Sequence, residues 1–176
     1  RKAARIAGRL MGQFLGGTGK IAVVSSAIAS ENNNYYVQVR ETEFADFIHK
    51  EYPDIKIITT LDSFEDPQIT YEKTVKLLRD YQDLQGIYIT CGGVSQVGRA
   101  LEESGRAKDI RVISFEDYPE VVDLIRKDVI DCTLAGELQQ QGEIPVQIIM
   151  DYLVFGKEPE QQQIFTDIRV LVKESL

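Results

Sequence analysis

The sequence predicts a doubly wound, flavodoxin-like α/β fold, in which helices cover both faces of a parallel sheet. Helical and strand patterns alternate along nearly all of the 176 residues, and this alternation is typical of repeated strand–helix–strand units. The helical segments between strands are long enough for the crossovers that parallel strands need. The strand centres are apolar on both faces, as a buried parallel sheet requires.

Each predicted strand is a short apolar run. Five parallel strands are predicted at Ile21–Ser25, Ile55–Thr59, Gly86–Thr90, Ile110–Phe115 and Val129–Ala135, and a last strand at Ile164–Lys173. Helices are predicted at about Ala3–Leu15, Asn34–Glu51, Pro67–Tyr81, Val94–Glu103, Pro119–Lys127 and Gln139–Phe155. Pro119 suits the first turn of its helix, and Gly156 is typical of a helix end.

Composition and charge argue against several classes of function. The chain carries 28 acidic and 20 basic residues, a net charge of −8, whereas nucleic-acid binders concentrate Lys and Arg against phosphates. Its 43% hydrophobic content is enough for a core. Because no apolar run reaches the length of about 18 residues that a membrane helix needs, we expect no membrane partner.

The residue types that carry metal and nucleophilic chemistry are scarce. Cys91 and Cys132 lie far apart in the sequence, and we expect two free, buried thiols. The single histidine, His49, falls on the predicted surface of a helix. We therefore expect no metal site, no cofactor and no enzymatic activity.

Candidate ligand contacts lie where the predicted strands end, because open parallel sheets bind ligands beyond those ends. The ends are Ser25–Ala27, Thr59–Asp62, Thr90–Gly93, Ser114–Asp117 and Ala135–Glu137. They are rich in hydroxyls, small residues and carboxylates, which suit hydrogen bonding to a polar, uncharged ligand. The same residue types also make good turns, so both interpretations stay open.

Three motifs resemble sites of other classes. Gly16–Lys20 has the composition of a phosphate-binding loop, but it follows a helix and precedes a strand, the reverse of the required order. Gly92-Gly93 before a helix favours ligand approach to backbone amides, but the spaced glycines of a dinucleotide site are absent. The pair Glu116-Asp117 suits acid–base chemistry, a metal ion or sugar hydroxyls. It does not indicate a receiver domain, which needs an acidic pair where Ser25-Ser26 stand.

A series of short motifs occurs in order along the chain. The series is Ala7–Met11, Gly19–Val24, Arg40–Phe44, Gly86–Ile89, Gly92–Val94, Gly98–Leu101, Val112–Asp117, Ile130–Ala135 and Gln140–Gly142. In order and spacing it resembles the C-terminal half of the effector domain of LacI/GalR-type transcription regulators. It is also similar to the related sugar-binding proteins of bacterial importers. Both have the type I periplasmic-binding-protein fold.

The resemblance implies two lobes, joined by three crossovers, that clamp a ligand between them. Residues 1–137 would form the C-terminal lobe, residues 138–157 a crossover helix of the N-terminal lobe, and residues 158–176 a linker and return strand. The late helix then lacks its usual cover, and we expect it to fold back or to pair with a second copy of the chain. Its apolar side carries Ile144, Ile148, Tyr152 and Phe155.

The resemblance also implies ligand-binding residues. Arg40 falls where the family's motif arginine contacts a sugar, and its paired donors suit vicinal hydroxyls. Glu116 stands in place of the family's strand-end aspartate and is longer by one methylene. The predicted ligand-binding set is Arg40, Glu116, Ser26, Gly92 and Asp62.

Some positions depart from the family pattern. Gly92 replaces an Asn or Asp, and Gly136 replaces a Gln, that often bind ligand in the family. Leu138 replaces the usual Pro, and Glu43 replaces the motif glycine. The identity of the ligand is therefore open, including whether it is a simple sugar.

The resemblance implies a ligand-sensing effector domain of a LacI-type transcription regulator, such as a repressor. Such a protein is a cytoplasmic homodimer that responds to a small-molecule effector, here a sugar or polyol. It contacts DNA only through an N-terminal helix-turn-helix, which lies outside this sequence. The alternative is the substrate-binding protein of a bacterial sugar ABC importer.

Overall fold

Strands and helices alternate along the chain in the computed structural model, which describes residues 1–26 and 35–176. The helices are α1 (Lys2–Phe14), α2 (Tyr35–Glu51), α3 (Pro67–Asp80), α4 (Val94–Glu103), α5 (Pro119–Arg126) and α6 (Leu138–Phe155). The strands are β1 (Gly19–Ser25), β2 (Ile55–Asp62), β3 (Gly86–Ile89), β4 (Arg111–Phe115), β5 (Cys132–Gly136) and β6 (Ile168–Leu171). The predicted order of elements is confirmed. Ala27 and the predicted helix start at Asn34 lie outside the described residues.

The six strands form one sheet with the order β2-β1-β3-β4-β5-β6. Strands β1 to β5 pair in parallel, and β6 pairs antiparallel with β5. The predicted doubly wound parallel sheet is therefore confirmed. The chain moves from β1 to β2 on one side and then to β3 on the other, which creates a topological switch between β1 and β3. Ligands bind at such switches in open α/β sheets.

The fifth strand begins later than predicted, at Cys132 and not at Val129. Asp128 adopts a left-handed backbone with φ 59°. The amides of Val129 and Ile130 then donate to the oxygen of Leu124, at 2.9 and 3.4 Å. The apolar residues 129 and 130 are therefore buried in the turn after α5 and do not extend the strand.

The last strand is shorter than the predicted Ile164–Lys173 and pairs only over Ile168–Leu171. Its partner is the end of β5, Thr133–Gly136, with Ala135 opposite Arg169. This antiparallel pairing returns the chain to the lobe after α6. It also places the start of β6 beside the carboxyl end of β5.

Both faces of the sheet carry an apolar core. Helices α1 and α2 cover one face, where Met11, Phe44 and Ile48 pack with Ile21 and Tyr88. Helices α3, α4 and α5 cover the other face. That second cluster includes Leu77, Val97, Leu101 and Leu124 with Ala22, Ile87 and Val112.

The position of α2 is set by its close approach to α1. A Cβ on Gly12 would lie 2.1 Å from the ring of Tyr52, and a Cβ on Gly8 would lie 2.6 Å from the ring of Phe47. The guanidinium of Arg9 lies 5.1 Å from the Phe47 ring centroid. These contacts hold α2 against the lobe, and α2 carries Arg40.

Helix α6 buries none of its residues. Leu153 and Phe155 are 71% and 77% exposed, and Ile144 and Ile148 are only partly covered. The expectation that this helix folds back on its own chain is therefore wrong. Its apolar residues extend along an arm that leaves the lobe at Glu137. Pairing with a second copy stays a prediction.

Tyr88 offers a test of the first core cluster. Its ring stacks on Phe44 with 4.0 Å between centroids, but its buried hydroxyl has no hydrogen-bond partner within residues 1–26 and 35–176. Burial raises the pKa of this hydroxyl above its ordinary value. Since an unsatisfied buried hydroxyl costs about 1–3 kcal/mol, we expect Tyr88→Phe to maintain or raise the free energy of unfolding in urea.

Tyr88→Ala is the control, and we expect it to lower the free energy of unfolding by about 3–5 kcal/mol, as deletion of a buried ring does. A loss of more than about 1 kcal/mol in Tyr88→Phe would mean that the hydroxyl makes a net favourable hydrogen bond.

Candidate functional site

Arg40 and Glu116 meet at the carboxyl edge of the sheet although they are 76 positions apart in the sequence. Nη2 of Arg40 lies 3.4 Å from Oε1 of Glu116, and Nη1 donates to the backbone oxygen of Thr90 at 3.0 Å. The guanidinium carbon lies 3.9 Å from the centroid of the Phe115 ring, within the range of a cation–π contact. The structure thus brings together the two principal predicted contacts.

The backbone of Glu116 is held in an uncommon conformation. Its φ is 72°, in the left-handed region, which costs a non-glycine residue on the order of 1 kcal/mol or more. Its amide donates to the oxygen of Leu134 at 2.9 Å, and its carbonyl accepts from Oγ1 of Thr133 at 2.7 Å. Strand β5 therefore fixes the peptide that directs the Glu116 side chain toward Arg40. Such strain is concentrated at functional sites.

The pair is accessible and has hydrogen-bonding capacity left. The side chains of Arg40 and Glu116 are 26% and 35% exposed. A guanidinium has five N–H donors, and the contacts above use two of them. The remaining donors, together with lone pairs on the carboxylate, suit neighbouring hydroxyl groups of a ligand.

Ser26 and Asp62, the predicted contacts at the ends of β1 and β2, lie by the turn after β2. Buried Ser26 donates through Oγ to Oε1 of Glu65 at 3.1 Å. Oδ1 of Asp62 accepts from the amide of Phe64 at 3.0 Å. Phe64 and Glu65 both have left-handed backbones, with φ 52° and 54°. The structure gives these two side chains a role in the turn, apart from the Arg40–Glu116 pair.

Gly92 and Gly93 stand in different surroundings. Gly93 has φ 90°, and a Cβ there would lie 2.8 Å from Cγ2 of Thr70, so this position requires glycine. Gly92 is exposed, and a Cβ there would meet no described atom within 4 Å. Gly92 therefore leaves open space just beyond Thr90, whose carbonyl binds Arg40.

Arg169 was not among the predicted site residues, yet it joins two acidic strand ends. Nη2 lies 3.1 Å from Oδ2 of Asp117, and Nε lies 2.7 Å from Oε1 of Glu137. Nothing in the local pattern around Arg169 signals these contacts. Only the pairing of β6 with β5, which sets Ala135 opposite Arg169, brings them about.

The two thiols are free and buried, as predicted. Burial raises the pKa of Cys91 above its ordinary value and that of Cys132 to about 12. Sγ of Cys91 lies 3.4 Å from Oγ of Ser63. Since the thiolate is the reactive form, neither residue is suited to nucleophilic chemistry in the folded chain.

The described residues, 1–26 and 35–176, contain neither a metal-binding cluster nor a helix that could span a membrane. No three His, Cys, Asp or Glu side chains in these two ranges are arranged to hold a metal ion. None of the helices found there has both the length and the apolar character of a membrane span.

The chain has a doubly wound sheet with hydrogen-bond donors and acceptors along its carboxyl edge. This combination is typical of the class of ligand-binding lobes. The family model of the periplasmic binding protein domain matches residues 1–158. The chain therefore belongs to the periplasmic binding protein domain family. This confirms the fold that the sequence resemblance implied, without distinguishing regulators from importers.

Solved structures with this fold include several sugar-binding proteins. GanP, a glucose-galactose binding protein from Geobacillus stearothermophilus, is 22% identical with a TM-score of 0.85, over 99% of this chain and 60% of GanP. A sugar-binding protein of a sugar ABC transporter from Bacillus halodurans is 26% identical with a TM-score of 0.85, over 98% and 61%. A solute-binding protein of an ABC transporter from Agrobacterium vitis, with bound D-fucose, is 24% identical with a TM-score of 0.83, over 98% and 58%.

This chain spans about 60% of the length of those structures. No curated protein matches the chain. The likeness to the solved structures establishes the fold of nearly the whole chain.

The two glycines after β3 make a matched pair of variants. We expect Gly92→Asn to leave the melting temperature within about 2 °C of wild type, because the added side chain enters open space. We expect Gly93→Asn to lower it by about 4 °C or more, because of the positive φ and the clash with Thr70. Thermal unfolding followed by circular dichroism measures both. Equal losses in the two variants would contradict this account of Gly92.

The buried thiol of Cys132 predicts a pH dependence of stability. Its pKa is about 12 in the folded chain against an ordinary value of 9.0, so the unfolded chain releases this proton first as the pH rises. The contribution is fully present below pH 9 and is lost toward pH 12. We expect the free energy of unfolding to fall more steeply between pH 9 and pH 10 in wild type than in Cys132→Ala. Identical slopes in urea denaturation would contradict the assignment.

Proposed function

We propose that the chain is the C-terminal lobe of a two-lobed domain that binds a sugar or a related polyol and catalyses no reaction. The observation that carries the proposal is the Arg40–Glu116 pair, which is partly exposed at the carboxyl edge with donors and acceptors to spare. In this proposal residues 1–137 form the lobe, residues 138–157 form a crossover helix of the other lobe, and residues 158–176 return to the first.

Arg40 and Glu116 would bind adjacent hydroxyl groups of the ligand. The guanidinium donates to hydroxyl oxygens, and the carboxylate accepts hydroxyl protons. The bond from Arg40 to the carbonyl of Thr90 and its contact with Phe115 hold the guanidinium in place before the ligand arrives. Such preorganisation reduces the entropy that binding loses.

The arm formed by α6 supports the two-lobed arrangement. Val146, Leu153 and Phe155 are 61%, 71% and 77% exposed, and contiguous apolar surface of this kind marks an interaction site. In the proposal the N-terminal lobe covers this helix. The chain's span of about 60% of the similar structures leaves room for such a lobe.

For the whole protein we propose the substrate-binding component of a bacterial sugar ABC importer. The printed names of similar structures support this role, since they describe sugar-binding and solute-binding proteins of ABC transporters. In an importer the lobes close around the sugar and present it to the transporter. A signal peptide ahead of this segment in the full-length sequence would agree with the role.

The second candidate is the effector domain of a LacI-type regulator, a cytoplasmic homodimer. The segments Arg40–Phe44, Gly92–Val94 and Gln140–Gly142 favour it, because they resemble that branch more closely. Here ligand binding shifts the population between two states that differ in DNA affinity. A helix-turn-helix ahead of this segment would select this candidate over the importer.

A thermal-shift assay on the full-length protein tests the site. We expect at least one of D-glucose, D-galactose and D-fucose to raise the melting temperature, because a ligand at 100 times its Kd stabilises the folded state by about 2.7 kcal/mol. Arg40→Ala and Glu116→Ala should each abolish the shift, since each removes hydrogen bonds between a charged group and the ligand that contribute about 1.5–3 kcal/mol apiece.

Arg99→Ala is the matched control. Arg99 also forms an ion pair, with Glu103 at 2.7 Å, and also lies over an aromatic ring, that of Tyr71 at 4.5 Å. We expect the ligand-induced shift to survive this change. A shift that persists in both Arg40→Ala and Glu116→Ala would overturn the assignment of the site.

A further inference from the structure

Two groups of ion pairs, joined by the adjacent residues Glu116 and Asp117, lie along the carboxyl edge of the sheet. Arg40 contacts Glu116, the adjacent Asp117 contacts Arg169, and Arg169 contacts Glu137. The series begins on α2, crosses the ends of β4 and β5, and stops at the residue that precedes α6. It therefore connects the candidate ligand contact with the point where the chain leaves the lobe.

Glu137 lies at the joint between the sheet and α6. It is the N-cap residue of α6, and its amide donates to the backbone oxygen of Asp167 at 3.3 Å. The outgoing and returning segments of the chain therefore lie side by side at this point. Because α6 buries none of its residues, the direction of the helix depends mainly on this joint, where Gln141 of α6 also contacts Thr166 at 3.4 Å.

We propose that Arg169 is a positioning residue that couples the direction of α6 to the Glu116 side chain. The inference rests on the proposed function of the Glu116 edge. When α6 turns at its joint, Glu137 moves and Arg169 follows it. Through Asp117 the displacement reaches Glu116, whose amide is bonded to Leu134. Coupling between two sites is reciprocal, so a ligand on Glu116 biases the direction of α6.

The chemistry of arginine suits this role. The planar guanidinium binds Glu137 through Nε and Asp117 through Nη2 at the same time. A fork of donors with fixed geometry holds the two carboxylates in one arrangement, whereas an ammonium group on a flexible stem does not. Ion pairs linked through a rigid segment of backbone are one physical route for coupling energy between two sites.

Hydrogen exchange at the backbone amide of Glu116 in the full-length protein tests the coupling without any ligand. The informative variant is Glu137→Gln, which is nearly isosteric. It removes the charge that pairs with Arg169 and leaves the Arg169–Asp117 and Arg40–Glu116 pairs in place. We expect it to raise the exchange rate of this amide at least about threefold, because the protecting bond to Leu134 loosens when Arg169 is less restrained. Arg169→Met should have at least the same effect.

Lys173→Met is the matched control. Lys173 lies on the same C-terminal segment, pairs with Asp128 at 2.6 Å, and is 47% exposed, as Arg169 is. It should leave the exchange of the Glu116 amide unchanged. If Glu137→Gln exchanges at the wild-type rate, or if Lys173→Met accelerates exchange equally, the coupling role is overturned and Arg169 serves only to anchor the tail.

A second measurement connects the coupling with binding and separates the two proposals. For each of D-glucose, D-galactose and D-fucose that the wild type binds, Arg169→Met should weaken the affinity about threefold or more, and Lys173→Met should not. Unchanged affinity in Arg169→Met would contradict coupling to the ligand. If the wild type binds none of the three sugars, the proposed sugar ligands are wrong, and the exchange of the Glu116 amide still decides the role of Arg169.

Discussion

Parallel pairing of β1 to β5 is the constraint on which the candidate site depends. Thr90 follows β3 and the Glu116 side chain follows β4, and these two strands are parallel neighbours. Their ends therefore meet at one edge, within reach of the single guanidinium of Arg40. An antiparallel pairing of β3 with β4 would put Thr90 and Glu116 at opposite edges. Both strands are buried between two layers of helices, so the core fixes where the two strand ends lie.

The sheet is covered by helices on both faces and α6 is not covered, and this difference determines which part of the chain can move relative to the lobe. Residues on both faces of the sheet are covered by the chain's own helices, so the lobe has a complete core. Helix α6 has no such cover, and neither has Phe165, which is 83% exposed. A helix that buries none of its residues is attached to the lobe mainly at its joint. Any motion of α6 relative to the lobe therefore has to strain or rearrange the contacts of Glu137 with Asp167 and Arg169.

Local pattern predicts most of the fold and only part of the site. Each parallel strand is a short apolar run between turn residues, so its approximate position can be read from the sequence. Family resemblance, and not periodicity, singles out Arg40 and Glu116. Asp62 shows one limit of prediction from the sequence, because a carboxylate after a strand can contact a ligand or stabilise a turn. In the structure its side chain accepts a hydrogen bond from the amide of Phe64 and so stabilises the turn. Arg169 shows a second limit. Its contacts depend on the pairing of β6 with β5, and no local sequence pattern specifies that pairing.

The charges at the edge favour the neutral ligand that we propose over a charged one. Glu116, Asp117 and Glu137 share the guanidinium groups of Arg40 and Arg169, and every one of these charges has an opposite partner within 3.4 Å. An anion would have to displace Glu116 from Arg40 and would also face a chain of net charge −8. A cation would have to displace Arg40 from Glu116. Hydroxyl groups need neither exchange, since they use donors and lone pairs that the ion pairs leave over. Each such bond to a charged group contributes only about 1.5–3 kcal/mol. Tight binding therefore requires many bonds in a closed space, which is what a second lobe over this edge would provide.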